Sequence, residues 1–196
     1  KDKMDNFVHL HNHSTYSFVD GFGTPKQYFD RVEKLNQPAI ALTDHGNCSG
    51  HFKWYQEGMK RGIKPILGCE MYVVENANIE EVKKREYNHI TVLAINNKGY
   101  ENLLYLVTKS WQEGFYYKPR IEWKDLTSYK EGLIFFTGCL SSSTGEAFKK
   151  NGDLKTELLT LKTMFYKQLY VEIQPLTFDI GQKYNAAIYK VAKELD

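Results

Sequence analysis

The sequence predicts an α/β protein built on a parallel sheet, either open or closed into a barrel. Strand-like and helix-like segments alternate along the whole chain. Histidine and carboxylate residues also recur beside consecutive strand candidates, where such folds carry their sites. Composition agrees: of 196 residues, 42% are hydrophobic and 26% charged, which supports a buried core and excludes a disordered chain.

Residues 7–11 alternate as a first strand. Thr24 before Pro25 is an N-cap followed by proline at the first helical position, and Tyr28, Phe29, Val32 and Leu35 share one face of a helix over 25–35. Residues 39–43 form a short buried strand, and 52–61 a helix that Gly62 closes. Two strands follow, 64–74 with an interruption at Gly68, and 89–95. The polar stretch 75–86 between them is an excursion, its charge run 80–86 a solvated face. Residues 102–111 are helical, with Leu103, Leu106, Val107 and Ser110 on one side, and 133–137 is an apolar strand. Helices are expected around Glu146 and over 154–165, then a strand over 169–173. The helix 179–195 has Tyr184, Ala187, Ile188, Val191 and Leu195 as its buried stripe. Six strand candidates result. The chain then ends on a helix where a barrel would continue into another strand, so 1–196 is expected to be one domain cut within its barrel.

Lysine and arginine number 26 against 24 acidic residues, a formal charge of +2, which excludes a polybasic binder but allows a local basic cleft. No apolar run approaches the roughly 18 residues of a membrane span. The charged start, Lys1 to Asp5, has no hydrophobic stretch behind it and does not resemble a signal peptide. The chain is therefore expected to be soluble and cytoplasmic. Three cysteines without C-x-x-C spacing argue against a disulfide framework or zinc ribbon, and a small buried thiol is the ordinary role for each.

Three segments carry chemistry. In Val8-His9-Leu10-His11-Asn12-His13-Ser14, strand alternation puts Phe7, His9, His11 and, if the strand persists, His13 on one face. Imidazoles grouped in this way are costly to bury unless a metal binds them. Thr43-Asp44-His45-Gly46-Asn47 follows a buried strand; Asp44 and Gly46 also suit a turn. Gly68-Cys69-Glu70 sets a carboxylate between apolar neighbours, where it needs a partner or a metal. His89 opens the next strand, and Asp20-Gly21 marks a turn after the first.

Together these segments resemble the PHP (polymerase and histidinol phosphatase) family. Gly62 to Gly68, Glu113 to Ile121 and Thr137-Gly138-Cys139-Leu140-Ser141 are similar, within it, to the amino-terminal PHP domain of bacterial DNA polymerase III alpha subunits. The resemblance implies a distorted (β/α)7 barrel holding up to three metal ions. Carried over by position, the ligands are His11, His13, Asp20, His45, Glu70, His89 and Cys139, with Glu70 bridging. His9 stands where many members have aspartate. The family completes its site with an Asp-x-His pair after one more strand, and this chain ends at Asp196 before any such pair.

A mixed histidine, carboxylate and thiolate set favours zinc, manganese or iron over magnesium. Adjacent ions of that kind suit phosphoester hydrolysis, one activating water and another holding phosphate oxygens. The resemblance thus implies a 3′–5′ exonuclease acting on a DNA primer 3′ end, with His11, His13, His45 and Glu70 at the reacting centre. Its partners would be DNA, the remainder of the polymerase alpha subunit and, in some members, a proofreading exonuclease subunit. The alternatives are a non-catalytic interaction module of the polymerase and a phosphomonoesterase of histidinol phosphatase type. Lys118 and Arg120 are candidate phosphate contacts, with Tyr116 and Tyr117 beside them for base stacking; a structural loop whose arginine stacks on a tyrosine is the competing reading.

Overall fold

The computed structural model describes residues 7–18, 20–78 and 86–195, so most of the charged run expected to be a solvated face lies outside them. Helix α1 (Pro25–Lys34) begins as its sequence demands, with Thr24 and Gln27 forming a reciprocal capping box ahead of Pro25. It leads into β1 (Ala39–Leu42), wholly buried, and α2 (His51–Arg61), which Gly62 ends in a left-handed cap. The long β2 (Lys64–Val74), β3 (Asn88–Ala94) and α3 (Asn97–Gln112) come next. A small hairpin, β4 (Phe115–Tyr116) and β5 (Lys118–Glu122), then precedes α4 (Trp123–Ser128); the sequence reading leaves all three unassigned. The last elements are β6 (Leu133–Phe136), α5 (Ser143–Lys149), α6 (Leu154–Phe165), β7 (Leu169–Tyr170) and α7 (Asp179–Leu195).

The sheet runs β4-β5-β2-β3-β6-β7, and β2 is its spine: β1 pairs with its first half and β5 with its second. β1 and β5 are parallel to β2, and β7 is parallel to β6. β3 runs antiparallel to both neighbours, so the sheet is mixed rather than parallel as expected. Apolar alternation marks 88–94 as a strand but carries no information on its direction. The two ends of the sheet approach each other: His9 bridges Ile40 beside β1, while Glu172, just past β7, reaches His11 at 2.6 Å. The architecture is an α/β barrel-like fold.

Two expected strands are shorter than their patterns suggest. The segment 7–11 pairs only through the His9–Ile40 bridge, because the next contacts to this edge go to a polar residue. Asn12 accepts from the Thr43 amide and donates to the Thr43 hydroxyl and the Ala41 carbonyl, and a turn begins at Ser14. The stretch 169–173 likewise keeps two strand residues.

Alternation along β2 sorts its side chains. Cys69, Met71 and Val73 face outward into a core with Ile90 and Val92 of β3, Leu103, Leu106 and Val107 of α3, and Leu161 and Phe165 of α6. A second outer cluster packs Ile40 and Leu42 against Phe29, Val32 and Trp54. Each buried side chain of this size is worth about 1.5–3 kcal/mol, and a one-residue slip of β2 would send all of them inward; the register is thereby fixed. Inside, Ala41, Leu93 and Phe136 form an apolar floor with Leu10, Ile66 and Ile134. Gly68 lies over that floor because a Cβ there would meet Leu93 and the Val92 carbonyl at 2.3 and 2.4 Å. Glu70 and Tyr72, paired with Thr91 and His89, occupy the same inner face beyond it. The interior is apolar at one end and polar at the other. No described helix is long and apolar enough to cross a membrane.

Candidate metal centre

Glu70 is the hub of the polar end. It is 2% exposed, and four imidazoles surround its carboxylate. His13 Nε2, His11 Nε2 and His45 Nδ1 stand 2.9, 3.1 and 3.2 Å from Oε2, and His89 Nδ1 stands 2.6 Å from Oε1. His11 and His13 come from the segment before the first turn, His45 from the loop after β1, and His89 from β3, so three distant parts of the chain converge on Glu70 of β2. His9 does not join them: its side chain is exposed, edge-on to Phe7. Asp20, on the loop 14–23, accepts from His45 Nε2 at 2.5 Å.

That loop is held by a residue of the Thr43–Asn47 cluster for which the sequence also allowed a turn. Asp44 is fully buried and accepts from the Ser14 amide (2.7 Å), the Ser14 hydroxyl (2.8 Å) and the Ser17 hydroxyl (2.7 Å). Ser17 in turn accepts from the His45 amide. One buried carboxylate therefore ties His13, Asp20 and His45 into a fixed relation.

The electrostatics favour cations. Burial tends to lower the pKa of His11, yet its hydrogen bonds to Glu172 and Glu70 push it up to about 10. Burial acts in the same sense on His89, and its bonds to Cys139 and Glu70 push it up to about 9. His45 moves the other way, because burial and the neighbouring His13 and His89 outweigh Glu70 and Asp20. Glu70 is held well below the usual carboxylate range despite its burial, by bonds from His11, His13 and His89. Neutral His45 donates from Nε2 to Asp20, so its Nδ1 lone pair faces a carboxylate oxygen; Nδ1 of His13 and of His45 are both buried without a hydrogen-bond partner. The His13 and His45 rings stack at 4.1 Å, a poor arrangement for two imidazolium ions. Lone pairs turned toward carboxylate oxygens are unfavourable until a cation lies between them. Three overlapping triads, His11-His13-Glu70, His13-Asp20-His45 and His45-Glu70-His89, offer nitrogen and oxygen donors close enough for that. The residues present fit a cluster of divalent cations.

Cys139 lies on the loop after β6 against His89, outside the three triads, and its Sγ accepts from the Ser141 amide at 3.3 Å. Glu172 and Asp44 are polar contributors that sequence reasoning did not assign to the site. Glu172 carries the same signal as the others, a charged residue at the carboxyl end of a strand, and could have been found by it.

The candidate phosphate contacts separate. Lys118 is exposed, its Nζ 5.3 Å from the centre of the Tyr72 ring, which itself stacks on His45. Arg120 is 1% exposed; its guanidinium donates to the carbonyls of Gly114 and Ala77 and lies over the Tyr116 ring. This burial and these carbonyl partners favour the structural alternative for Arg120 over the DNA contact. Replacing Arg120 with alanine should strip the Ala77 carbonyl of its guanidinium donor, leave Gly114 only its bond from the residue-120 amide, and cost about 1–3 kcal/mol in urea unfolding, without changing the salt dependence of DNA binding.

A pH dependence follows from the raised histidines. In the metal-free protein, their folded pKa values exceed the unfolded value near 6.5. Their stabilisation is therefore complete below that pH and is lost as pH rises through about 9 to 10. A bound cation replaces these protons, so metal affinity should rise over the same interval. Thermal midpoints with chelator and with zinc should differ little near pH 6 and diverge by pH 9.

A family model described as PHP domain matches residues 9–175. The chain is 39% identical over 195 residues to DNA polymerase III subunit alpha of Borreliella burgdorferi, covering 96% of this chain and 17% of that protein. To the subunit of the same name in Deinococcus radiodurans it is 33% identical over 201 residues, 96% of this chain and 15% of that one. It thus spans a small part of the length of these relatives. In fold it is similar to a crystal structure from Bifidobacterium adolescentis described as a metal-dependent phosphoesterase, with TM-score 0.55 and 12% identity over 95% of this chain and 82% of that one. The motifs around Glu70, the barrel-like fold and the span of the family match agree: the chain belongs to the PHP domain family.

Proposed function

We propose that this chain is the PHP domain of a replicative DNA polymerase alpha subunit, and that its metal centre hydrolyses the terminal phosphodiester of a DNA primer in the 3′–5′ direction. One observation carries the reading: a single buried carboxylate with four histidine nitrogens within 3.2 Å, two of the four rings keeping a buried nitrogen without a hydrogen bond. Zinc or manganese fits this donor set, iron less distinctively, and such ions supply Lewis acidity toward the phosphodiester and its attacking water.

His11, His13, His45, Glu70, Asp20 and His89 would hold the ions, with Cys139 beside His89. Asp20 keeps the His45 proton on Nε2 and so leaves Nδ1 free to donate. Burial raises the Tyr72 hydroxyl above its ordinary pKa, so it stays protonated beside the site. Lys118, at the rim, attracts the phosphate backbone. In a full-length alpha subunit the Asp-x-His pair that the resemblance implies would complete the site, and the polymerase body and DNA would be the partners.

The test uses the full alpha subunit and a 5′-labelled primer. Stepwise shortening with manganese or zinc, abolished by chelator and by Glu70→Gln, is the expected result. Stoichiometric metal without shortening would overturn the nuclease reading in favour of an interaction module. Lys118→Ala should weaken primer binding and reduce the salt slope by about one.

A further inference from the structure

We propose that Glu172 is a positioning residue for the metal centre: it holds the His11 proton on Nδ1 and thereby presents Nε2 as the donor to the cation shared with His13 and Glu70. This rests on the metal-centre reading above.

The two nitrogens of His11 meet different carboxylates. Nε2 lies 3.1 Å from Glu70 Oε2, and Nδ1 lies 2.6 Å from Glu172 Oε1. An ionised carboxylate has lone pairs and no proton to give, so the short contact requires Nδ1–H as donor. Ring nitrogens point away from each other, which sets Glu172 across the imidazole from Glu70 and outside the triads. A neutral His11 protonated at Nδ1 has its lone pair on Nε2, aimed at the hub. Carboxylate–histidine–metal arrangements of this kind fix the tautomer and ring orientation and raise the basicity of the ligand.

Glu172 is built for the task. It is 10% exposed at its side chain, and its backbone amide donates to the Thr137 hydroxyl at 3.0 Å, which anchors it to the end of β6. Gln174 Nε2 donates to the same Oε1 at 2.8 Å, and the Gln174 carbonyl accepts from Asn185 on α7 at 2.5 Å. The rival acceptor for the His11 proton is the Thr91 hydroxyl at 3.3 Å, longer and uncharged. The device also links the two ends of the curled sheet, since His11 and Glu172 are separated by 161 residues.

Two measurements on the full alpha subunit test the proposal: zinc affinity by competition with a chromophoric chelator, and the tautomer of His11 by nitrogen-15 NMR of selectively labelled histidine. Above the His11 pKa of about 10, where the metal-free ring is neutral, the wild-type protein should show His11 protonated at Nδ1, with Nε2 shifted on zinc addition. Glu172→Ala should mix the tautomers and weaken zinc binding about 10- to 100-fold, and Glu172→Gln, which still accepts through Oε1, should recover most of the loss. A neutral wild-type His11 protonated at Nε2 in place of Nδ1 overturns the proposal without any variant, which covers an alanine variant that does not fold. Unchanged affinity and tautomer in Glu172→Ala overturn it as well, and so does a glutamine variant no better than alanine. If the wild-type protein binds no zinc at all, the metal-centre reading fails, and the Nδ1 proton in the wild-type and alanine proteins still decides what Glu172 does.

Discussion

Glu70→Ala is expected to eliminate metal binding at the centre and to destabilise the metal-free protein together. Among the described residues, Glu70 is the carboxylate that meets all four imidazoles, and it is common to two of the three candidate triads. Loss of an orienting neighbour costs about 10- to 100-fold in affinity, so loss of the central donor should exceed that range. In the absence of metal, His11 and His89 keep raised pKa values partly because of Glu70. Removing one partner of a buried charge pair costs about 3–5 kcal/mol, some of which the histidines recover by losing their protons. Metal content by elemental analysis should fall, and chelator-treated protein should unfold at lower urea. A variant that kept its full metal content would place the centre elsewhere. Glu70→Gln keeps the volume and tests charge alone; it should lose the metal and retain more of the stability.

Asp44→Ala should produce a large loss of stability although Asp44 touches no candidate donor atom directly. Its carboxylate accepts three bonds in complete burial, and truncation strands the Ser14 amide and the Ser14 and Ser17 hydroxyls. Bonds to a charged acceptor are worth about 1.5–3 kcal/mol each, but three that share one acceptor do not add, and a total of about 3–5 kcal/mol is expected. The second consequence is functional. Ser17 also accepts from the His45 amide, so the His13-Asp20-His45 triad should loosen while His11 and His89 keep their places. Zinc stoichiometry should fall by part of its value and not to zero. Urea denaturation beside zinc titration measures both, and an alanine variant with wild-type stability would show that water takes over the stranded donors.

The sequence by itself determined what depends on nearest neighbours along the chain. The capping box at Thr24, the left-handed stop at Gly62 and the sorting of Cys69, Met71 and Val73 from Glu70 and Tyr72 are consequences of helical and two-residue periodicity. His11, His13, His45, Glu70 and His89 were legible because polar residues beside buried strands are conspicuous. Tertiary structure decided the rest. The antiparallel course of β3 depends on where the chain re-enters the sheet, which alternation does not encode. The hairpin at 115–122 is too short for periodicity to register, yet it buries Arg120 and favours the structural one of the two roles its sequence allowed. His9 obeys the same alternation as His11 but is left outside, because the first segment stops pairing as a strand after a single bridge. Asp44 and Glu172 acquire their roles only when the sheet curls, one gathering a loop 30 residues earlier and the other a histidine 161 residues away. A local pattern can place a side chain on a face; the donor that will meet it there comes from the closure of the chain on itself.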